Sequence, residues 1–512
     1  MPSRETLRQK LLDPPLFAEK IWKLSPEPWP ITAAQLRELK LIGAACLSYQ
    51  RALERLYVRS ATDKKILRNR DIHAPWVAQY LDRHKPPGLI EHGRHRAVKG
   101  QHPLVLRPDL LITEQGFTMT ELDSVPGGVG LTAYLNEVYA EDYPEVIGGL
   151  GMPTRFQAML GRLVPGERFP TVAIAVSEEA ATYRPEFEWL AEKLRGLGHD
   201  VHVVDPSQVM KMGDESFIPL HGAPTRIHVL YRFFELFDLA NVKSADGIFA
   251  AVEAGKLALT PPMKAFQEEK LGLALLHHPQ LSEFWKENLP EDHREELLRI
   301  VPRTWIMEQG ELPPTAVLHA PTVGGQPIRD WHELAEASQR ERNLIIKASG
   351  FHETAWGARS VTLGSDVSRD EWLEAIEHAL DPENDTFHVM QEYHKPSRLS
   401  HPVYADDGTI AAADGRVRLC PYYFVDGDTA ELNGILSTFC PADKKIIHGM
   451  RDAVVLYQDS AWLVQYLLQL GKDVELVTLP DAGHGWDLEG SAQTRFAFRR
   501  MVDFFRRTLL AP

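Results

Sequence analysis

The sequence is poor in cysteine, since only Cys46, Cys420 and Cys440 occur among 512 residues. An odd number of cysteines without paired spacing supports neither a disulfide framework nor a zinc site. This cysteine usage favours a reducing compartment, so we expect a cytoplasmic protein. No apolar run approaches the roughly 20 residues of a membrane-spanning helix, and the charged N-terminal stretch lacks a signal-peptide core. We therefore predict no export and no membrane partner.

Basic residues are also in the minority. The 56 lysines and arginines are outnumbered by 71 aspartates and glutamates, which gives a formal charge of −15. An acidic surface repels a polyphosphate backbone, and no basic stripe interleaved with aromatic residues is present, so we predict no nucleic-acid partner. Glycine and proline are too sparse for a fibrous or disordered chain. The length predicts about two to four globular domains.

The spacing of apolar residues changes along the chain. Apolar residues recur three and four apart in the first 85 residues, which predicts helices, whereas residues 103–125 alternate and predict a β-hairpin. The apolar run 171–177, a helical stretch ending at Gly198 and the strand 200–206 predict a βαβ unit and a parallel sheet. We predict five regions, with boundaries at 1–100, 101–150, 151–260, 261–445 and 446–512.

The predicted hairpin carries an unusual set of charges. Because side chains alternate along a strand, Arg107 and Asp109 share one face, and Glu121 and Asp123 share one face of the return strand. If the strands pair about Gly116, three carboxylates and one guanidinium converge. Such carboxylates repel one another unless a cation neutralises them, and oxygen ligands of this kind suit Mg²⁺. The alternative is an exposed acidic hairpin face, which is common at sheet edges.

The hairpin string RPDLLITEQGFTMTELDSVPGG is similar to the metal-binding hairpin of ATP-grasp ligases. In that family an aspartate on one strand is followed by Glu-x-Asn and then Pro-Gly on the next. The resemblance implies that Asp109, Glu121 and Asp123 bind Mg²⁺. Asp123 stands where asparagine is usual, which keeps an oxygen ligand but adds a negative charge.

Later strings resemble the nucleotide-binding parts of the same family. Lys347 ends the apolar strand NLIIK and precedes SGFHETAWG, which is similar to the family's strand lysine and glycine-containing phosphate loop. The string VMQEYH resembles the strand that contacts adenine, and Lys270 resembles the second nucleotide lysine, although a lone lysine on an amphipathic helix is often simply solvated. The resemblance implies a nucleotide site formed by Lys270, Lys347, Gly350, Gly357, Gln391 and Glu392.

The order of these motifs is informative. The hairpin precedes the lysine strands, as in the circularly permuted ATP-grasp branch that includes the ligase domain of glutathionylspermidine synthase, and the resemblance covers about residues 100–453. It implies an ATP- and Mg²⁺-dependent ligase that phosphorylates a small-molecule or peptide carboxylate and joins it to an amine. Lys347, Arg107 and Arg418 are the implied catalytic residues. Arg416, two residues before Arg418, shares its strand face and is a further candidate.

The last region resembles a different family. The stretch from Ile446 is similar to the C-terminal end of prolyl-oligopeptidase-type serine peptidases, which have an α/β-hydrolase fold. Asp452 and His484 match the triad aspartate and histidine of that family. No Gly-x-Ser-x-Gly elbow supplies a nucleophile anywhere in the chain. Three hypotheses therefore remain open: a carboxylate–amine ligase, a serine hydrolase completed by another serine or subunit, and a non-catalytic ATP-grasp-like protein.

Overall fold

The computed structural model describes residues 4–12, 16, 24–355, 360–405 and 407–443. The chain divides into two units, Met1–Gly449 and Met450–Pro512, and all described residues belong to the first. Helices and strands alternate through this unit, which confirms the predicted mixed α/β class. Gly357, Asp452, His484 and the predicted 446–512 region lie outside the described residues.

The α-helices and strands of the described residues are as follows. The helices are α1 (Arg4–Leu12), α2 (Ala33–Ala61), α3 (Pro75–Asp82), α4 (Pro87–Arg94), α5 (Val129–Ala140), α6 (Met152–Gly161), α7 (Arg184–Gly196), α8 (Ala245–Glu253), α9 (Leu271–His277), α10 (Ser282–Asn288), α11 (Glu291–Ile300), α12 (Pro314–Val317) and α13 (Arg369–Leu380). The strands are β1 (Val105–Thr113), β2 (Gly116–Asp123), β3 (Val172–Val176), β4 (Val201–Val204), β5 (Met210–Met212), β6 (Glu215–Leu220), β7 (Ala223–Ile227), β8 (Val229–Phe233), β9 (Ala258–Thr260), β10 (Thr304–Ile306), β11 (Thr322–Val323), β12 (Gln326–Pro327), β13 (Leu344–Ala348), β14 (Thr362–Leu363), β15 (His388–Glu392), β16 (Leu399–Tyr404), β17 (Ile410–Asp426) and β18 (Thr429–Pro441).

The long helix α2 forms the centre of the N-terminal helical region. It begins after Thr32, whose side chain accepts a hydrogen bond from the Gln35 N–H while the Gln35 side chain accepts one from the Thr32 N–H. This reciprocal cap satisfies two donors that a helix start leaves free. Further along, Gly43 lets the ring of Tyr423 approach closely, since a Cβ on Gly43 would lie 2.4 Å from it. The helix thereby packs directly on the main sheet.

The main sheet is antiparallel and contains the predicted hairpin. Its strand order is β16-β17-β1-β2, and β18 pairs with the other edge of β17. The hairpin reverses before Gly116, whose φ of 104° is a conformation that other residues rarely adopt. Within it Arg107 pairs with Asp123 and Asp109 pairs with Glu121. Side-chain alternation along the two strands therefore predicted these neighbours correctly.

The described residues form four smaller sheets, of which β5-β6-β7 and β11-β12 are the shortest. The predicted βαβ unit is present as β3, α7 and β4, and its parallel sheet has the order β4-β3-β8-β9. The remaining four-stranded sheet is antiparallel, with the order β10-β15-β13-β14. It carries Lys347 on β13 and Gln391 on β15. Among the described residues, no helix combines the length and apolar character needed to cross a membrane.

Candidate functional site

A cluster of arginines and carboxylates covers one face of the hairpin. Arg107 contacts Asp109 through Nε at 3.0 Å and Asp123 through Nη2 at 2.8 Å. From the neighbouring strand β17, Arg418 Nη1 contacts the other oxygen of Asp109 at 2.9 Å. Asp109 is only 4% exposed. We call Arg107, Asp109, Asp123 and Arg418 the arginine cluster.

The two aspartates of the arginine cluster have opposite electrostatic environments. Burial alone would raise the pKa of Asp109, but Arg107 and Arg418 together lower it below its ordinary value. For Asp123, burial and the neighbouring Glu121 outweigh Arg107, and the pKa is raised. A paired guanidinium favours the charged form, whereas burial and a like charge favour the protonated one. Asp123 is therefore the aspartate whose negative charge is less well compensated.

A β-bulge connects the hairpin to the strand lysine. Between Asp109 and Leu110 the register slips, so that Thr120 of β2 has no opposite residue on β1. A bulge leaves the extra residue without a ladder partner and turns its backbone. The Thr120 carbonyl accepts a hydrogen bond from Lys347 Nζ at 3.2 Å. The irregularity of the hairpin thus brings the main sheet into contact with β13.

Both lysines predicted to bind the nucleotide contact the hairpin. Lys347 is 8% exposed and also donates to Gln391 Oε1 at 2.8 Å. Burial lowers its pKa to about 8, with Glu121 opposing and Lys270 adding to the shift. Lys270 lies immediately before α9, where its ammonium contacts Glu121 at 2.8 Å and the Ala355 carbonyl at 2.7 Å. Glu121 therefore contacts the Lys270 ammonium directly and acts on Lys347 through its charge, although the three residues come from distant parts of the chain.

The remaining predicted residues divide between the site and its surroundings. Gly350 lines a cleft with Glu121 and Lys270, and Gln391 is buried against Lys347 and Thr304. Glu392 points away from Gln391 along the strand. Its side chain is 44% exposed and lies near His394. Arg416 is buried and donates to the backbone carbonyls of Pro396 and Ala442, so these contacts hold loops together.

The cleft contains two carboxylates that the sequence analysis missed. Glu235 and Glu268 line it together with Glu121, Asp123 and Lys270, and we call this cavity the acidic cleft. Glu268 forms an ion pair with Arg232. Glu235 follows strand β8, and the carboxyl ends of parallel strands commonly border ligand sites. That rule could have identified Glu235, whereas Glu268 is next to the motif around Lys270 and has no signal of its own.

Negative charge in the acidic cleft exceeds the positive charge available to it. Burial, Glu268 and Asp123 raise the pKa of Glu235 to about 8, although Arg232 opposes them. Burial also raises the pKa of Glu268 to about 7, despite its pairing with Arg232. A carboxyl group with a raised pKa keeps its proton to a higher pH than an exposed one. Within the described part of the chain, no three His, Cys, Asp or Glu side chains are arranged around one common metal position.

Two comparisons with known proteins give matches, one confined to the tail and one that spans most of the chain. Residues 443–511 match the model of the prolyl oligopeptidase family, which confirms the predicted similarity of this segment. Among solved structures, one from Methylobacillus flagellatus KT, provisionally assigned as a gamma-glutamylcysteine synthetase, shares 13% identity with a TM-score of 0.37. The match covers 81% of this chain and 90% of that one. A likeness of this size does not establish a shared activity. No curated protein matches the chain.

Proposed function

We propose that the chain is an ATP- and Mg²⁺-dependent carboxylate–amine ligase that forms an amide bond through an acyl phosphate. The observation that carries this proposal is the convergence of Lys347, Lys270 and Glu121, which are distant in sequence. A carboxylate paired with one lysine and near a second, beside a cleft with further carboxylates, suits a metal–triphosphate complex. The ammonium groups would neutralise phosphate oxygens, and the carboxylates would hold the metal.

The motif order supports a finer proposal about the fold. The hairpin of β1 and β2 precedes β13 and β15, and the hydrogen bond from Lys347 to Thr120 joins the two sheets. This is the order expected of a circularly permuted ATP-grasp core. The βαβ unit of β3, α7 and β4 lies in the chain between the hairpin and the lysine strands. We propose that it corresponds to the additional domain of that branch.

We propose that Glu121 and Asp123 would hold Mg²⁺. Both border the acidic cleft, and the raised pKa of Asp123 indicates a carboxylate that lacks a full counter-charge. A bound Mg²⁺ would withdraw charge from the phosphate oxygens. Both oxygens of Asp109 contact arginine side chains, so we propose that Asp109 orients the arginine cluster, and its role as a metal ligand stays a prediction.

The arginine cluster offers a contact for the activated acid. Arg418 Nε is a buried donor without a hydrogen-bond partner among the described residues. An unpaired buried donor is costly, and an acyl-phosphate oxygen would satisfy it. Arg107 is fully engaged with Asp109, Asp123 and the Gly127 carbonyl. We therefore propose that Arg418 contacts the acyl phosphate and that Arg107 holds the two aspartates in place.

The reaction then requires no nucleophile from the protein. A carboxylate oxygen of the acid substrate takes the terminal phosphoryl group of ATP, and ADP leaves with the electron pair of the broken bond. The amine nitrogen attacks the acyl carbon, phosphate departs, and the nitrogen loses a proton to complete the amide. The protein supplies positioning and charge stabilisation, which are the main contributions in phosphoryl transfer.

Calorimetric titration of ATP, with and without Mg²⁺, tests the proposal. We expect saturable, Mg²⁺-dependent binding by the wild type and its loss in Glu121→Ala. Glu114→Ala is the matched control, because Glu114 is an exposed carboxylate in the turn of the same hairpin. Absence of binding by folded wild type would refute the nucleotide site. Binding without phosphate release in the presence of acids and amines would point to a non-catalytic ATP-grasp-like protein.

The match of residues 443–511 to the prolyl oligopeptidase family favours a second candidate, a serine hydrolase. Asp452 and His484 are its triad candidates, and the nucleophile would come from an unrecognised serine or from another subunit. Labelling by a fluorophosphonate probe and loss of esterase activity in His484→Ala would support this candidate. An unlabelled protein without esterase activity would leave these two residues as inert remnants.

A further inference from the structure

A buried ion pair links the N-terminal helical region to the proposed nucleotide site. Lys85, between α3 and α4, contacts Glu269 Oε1 through Nζ at 2.7 Å. The two side chains are only 5% and 4% exposed. Removing two charges from water is expensive, and a buried pair persists only with good geometry and further hydrogen bonds. The surroundings of Glu269 supply these bonds.

Glu269 is the centre of a hydrogen-bond network between two chain segments. Its second carboxylate oxygen accepts a hydrogen bond from the Ser349 hydroxyl, which in turn accepts one from the Leu271 N–H at 2.8 Å. The Lys270 N–H donates to the Ser349 carbonyl at 2.9 Å. The network therefore lies between the two nucleotide lysines, because Lys270 follows Glu269 and Lys347 is two residues before Ser349.

The same ion pair borders the loop that follows β13. A Cβ on Gly350 would lie 3.0 Å from the Glu269 carboxyl carbon and 2.9 Å from the Glu268 carbonyl oxygen, so a side chain there would push the segments apart. Phe351 adopts a φ of 50°, which is unfavourable for a bulky residue. Lys85 Nζ lies 5.6 Å from the centre of the Phe351 ring, within cation–π range. Lys85 thus contacts both the carboxylate and the loop.

We propose that Lys85 is a positioning residue of the nucleotide site. This inference rests on the proposed function. By fixing Glu269, the Lys85 ammonium holds Ser349 against the backbone of Lys270 and Leu271. It thereby sets the distance between Lys270 and Lys347, which both have to reach the same phosphate group. The N-terminal helical region is then part of the nucleotide site and does more than support the fold.

The test compares three variants in ATP titrations at a temperature where circular dichroism shows each to be folded. We expect Lys85→Met to weaken ATP binding about ten-fold, as is typical when a residue that orients a ligand contact is lost. Lys85→Arg should restore most of the affinity. Lys99→Met is the control, since Lys99 is an exposed lysine of the same region. Wild-type affinity in folded Lys85→Met would refute the inference.

A double variant and a second measurement separate an effect on positioning from an effect on stability. Lys85→Met leaves a buried unpaired carboxylate, whereas Lys85→Met combined with Glu269→Gln does not, so the double variant should regain stability but not affinity. Amide hydrogen exchange without ligand should accelerate at Lys270 and Leu271 in Lys85→Met. Unchanged exchange would refute the inference even if the wild type bound no ATP. Absence of binding by the wild type, with faster exchange in the variant, would refute only the proposed function.

Discussion

The arginine cluster and the acidic cleft are adjacent and share Asp123, but their charge balance differs. In the arginine cluster two guanidinium groups hold Asp109, and its pKa is lowered. In the acidic cleft Arg232 pairs with Glu268 and Lys270 contacts Glu121, yet the pKa values of Glu235 and Glu268 are both raised. Asp109 is compensated by two guanidinium groups, whereas the cleft carries more carboxylates than cations. An added cation is therefore expected to act on the cleft and on Asp123, which the two regions share, and not on Asp109.

The largest effect on stability is expected from removing a carboxylate of the arginine cluster. Asp109→Ala would leave Arg107 and Arg418 buried without their shared carboxylate, and removing one partner of a buried pair costs about 3–5 kcal/mol. We expect the free energy of unfolding, measured by urea denaturation, to fall by this amount. Glu114→Ala, at the exposed turn of the hairpin, should change it by less than about 0.5 kcal/mol. A small effect of Asp109→Ala would mean that the arginine cluster contributes little to stability.

An intermediate effect is expected from the acidic cleft. Here the free energy of unfolding should fall as the pH rises. A carboxyl with a pKa raised in the folded protein binds its proton more tightly there than in the unfolded chain. Its contribution to stability is present at low pH and is lost as the pH rises through the folded value. With the pKa of Glu235 raised to about 8, we expect the wild type to lose about 3 kcal/mol of stability between pH 5 and pH 8 relative to Glu235→Gln.

Urea denaturation of both proteins at the two pH values measures this difference. Added Mg²⁺ should reduce the loss in the wild type at pH 8 if a cation replaces the proton in the acidic cleft. Equal pH dependence in the wild type and Glu235→Gln would show that the charge excess of the cleft lies elsewhere. That result would remove the difference in charge balance between the arginine cluster and the acidic cleft.

The sequence predicted the arginine cluster better than the acidic cleft. Arg107, Asp109 and Asp123 of the arginine cluster were identified, together with Glu121 of the cleft, because one hairpin carries them all, and alternation fixes their faces. Glu235 and Glu268 reach the cleft from separate strands and loops, so no local pattern connects them. The bulge at Thr120 was also missed, because alternation assumes regular pairing. Single-sequence patterns predict neighbours within one element, whereas contacts between elements depend on tertiary packing.

The residues predicted to bind the nucleotide follow the same rule. The strand NLIIK was recognised as a strand because its apolar run is short and bounded by polar residues, and it is β13. The contact of Lys347 with Thr120 and the ion pair of Lys85 with Glu269 join segments that are far apart in sequence. Lys85 lies in a polar stretch without periodicity. Only the packing of the N-terminal helical region brings it to the site.

The smallest expected effect is on ATP affinity and concerns Lys347, which is influenced by the charges of both Asp109 in the arginine cluster and Glu121 in the acidic cleft. Because its pKa is lowered to about 8, its ammonium loses the proton as the pH rises through that value, and attraction to phosphate is lost. We expect ATP affinity to fall by up to about ten-fold between pH 7 and pH 9, since one pH unit above the pKa changes the charged fraction about ten-fold. Lys347→Arg keeps its charge at both values and should flatten this dependence in calorimetric titrations. An equal slope in Lys347→Arg would assign the titration to another group.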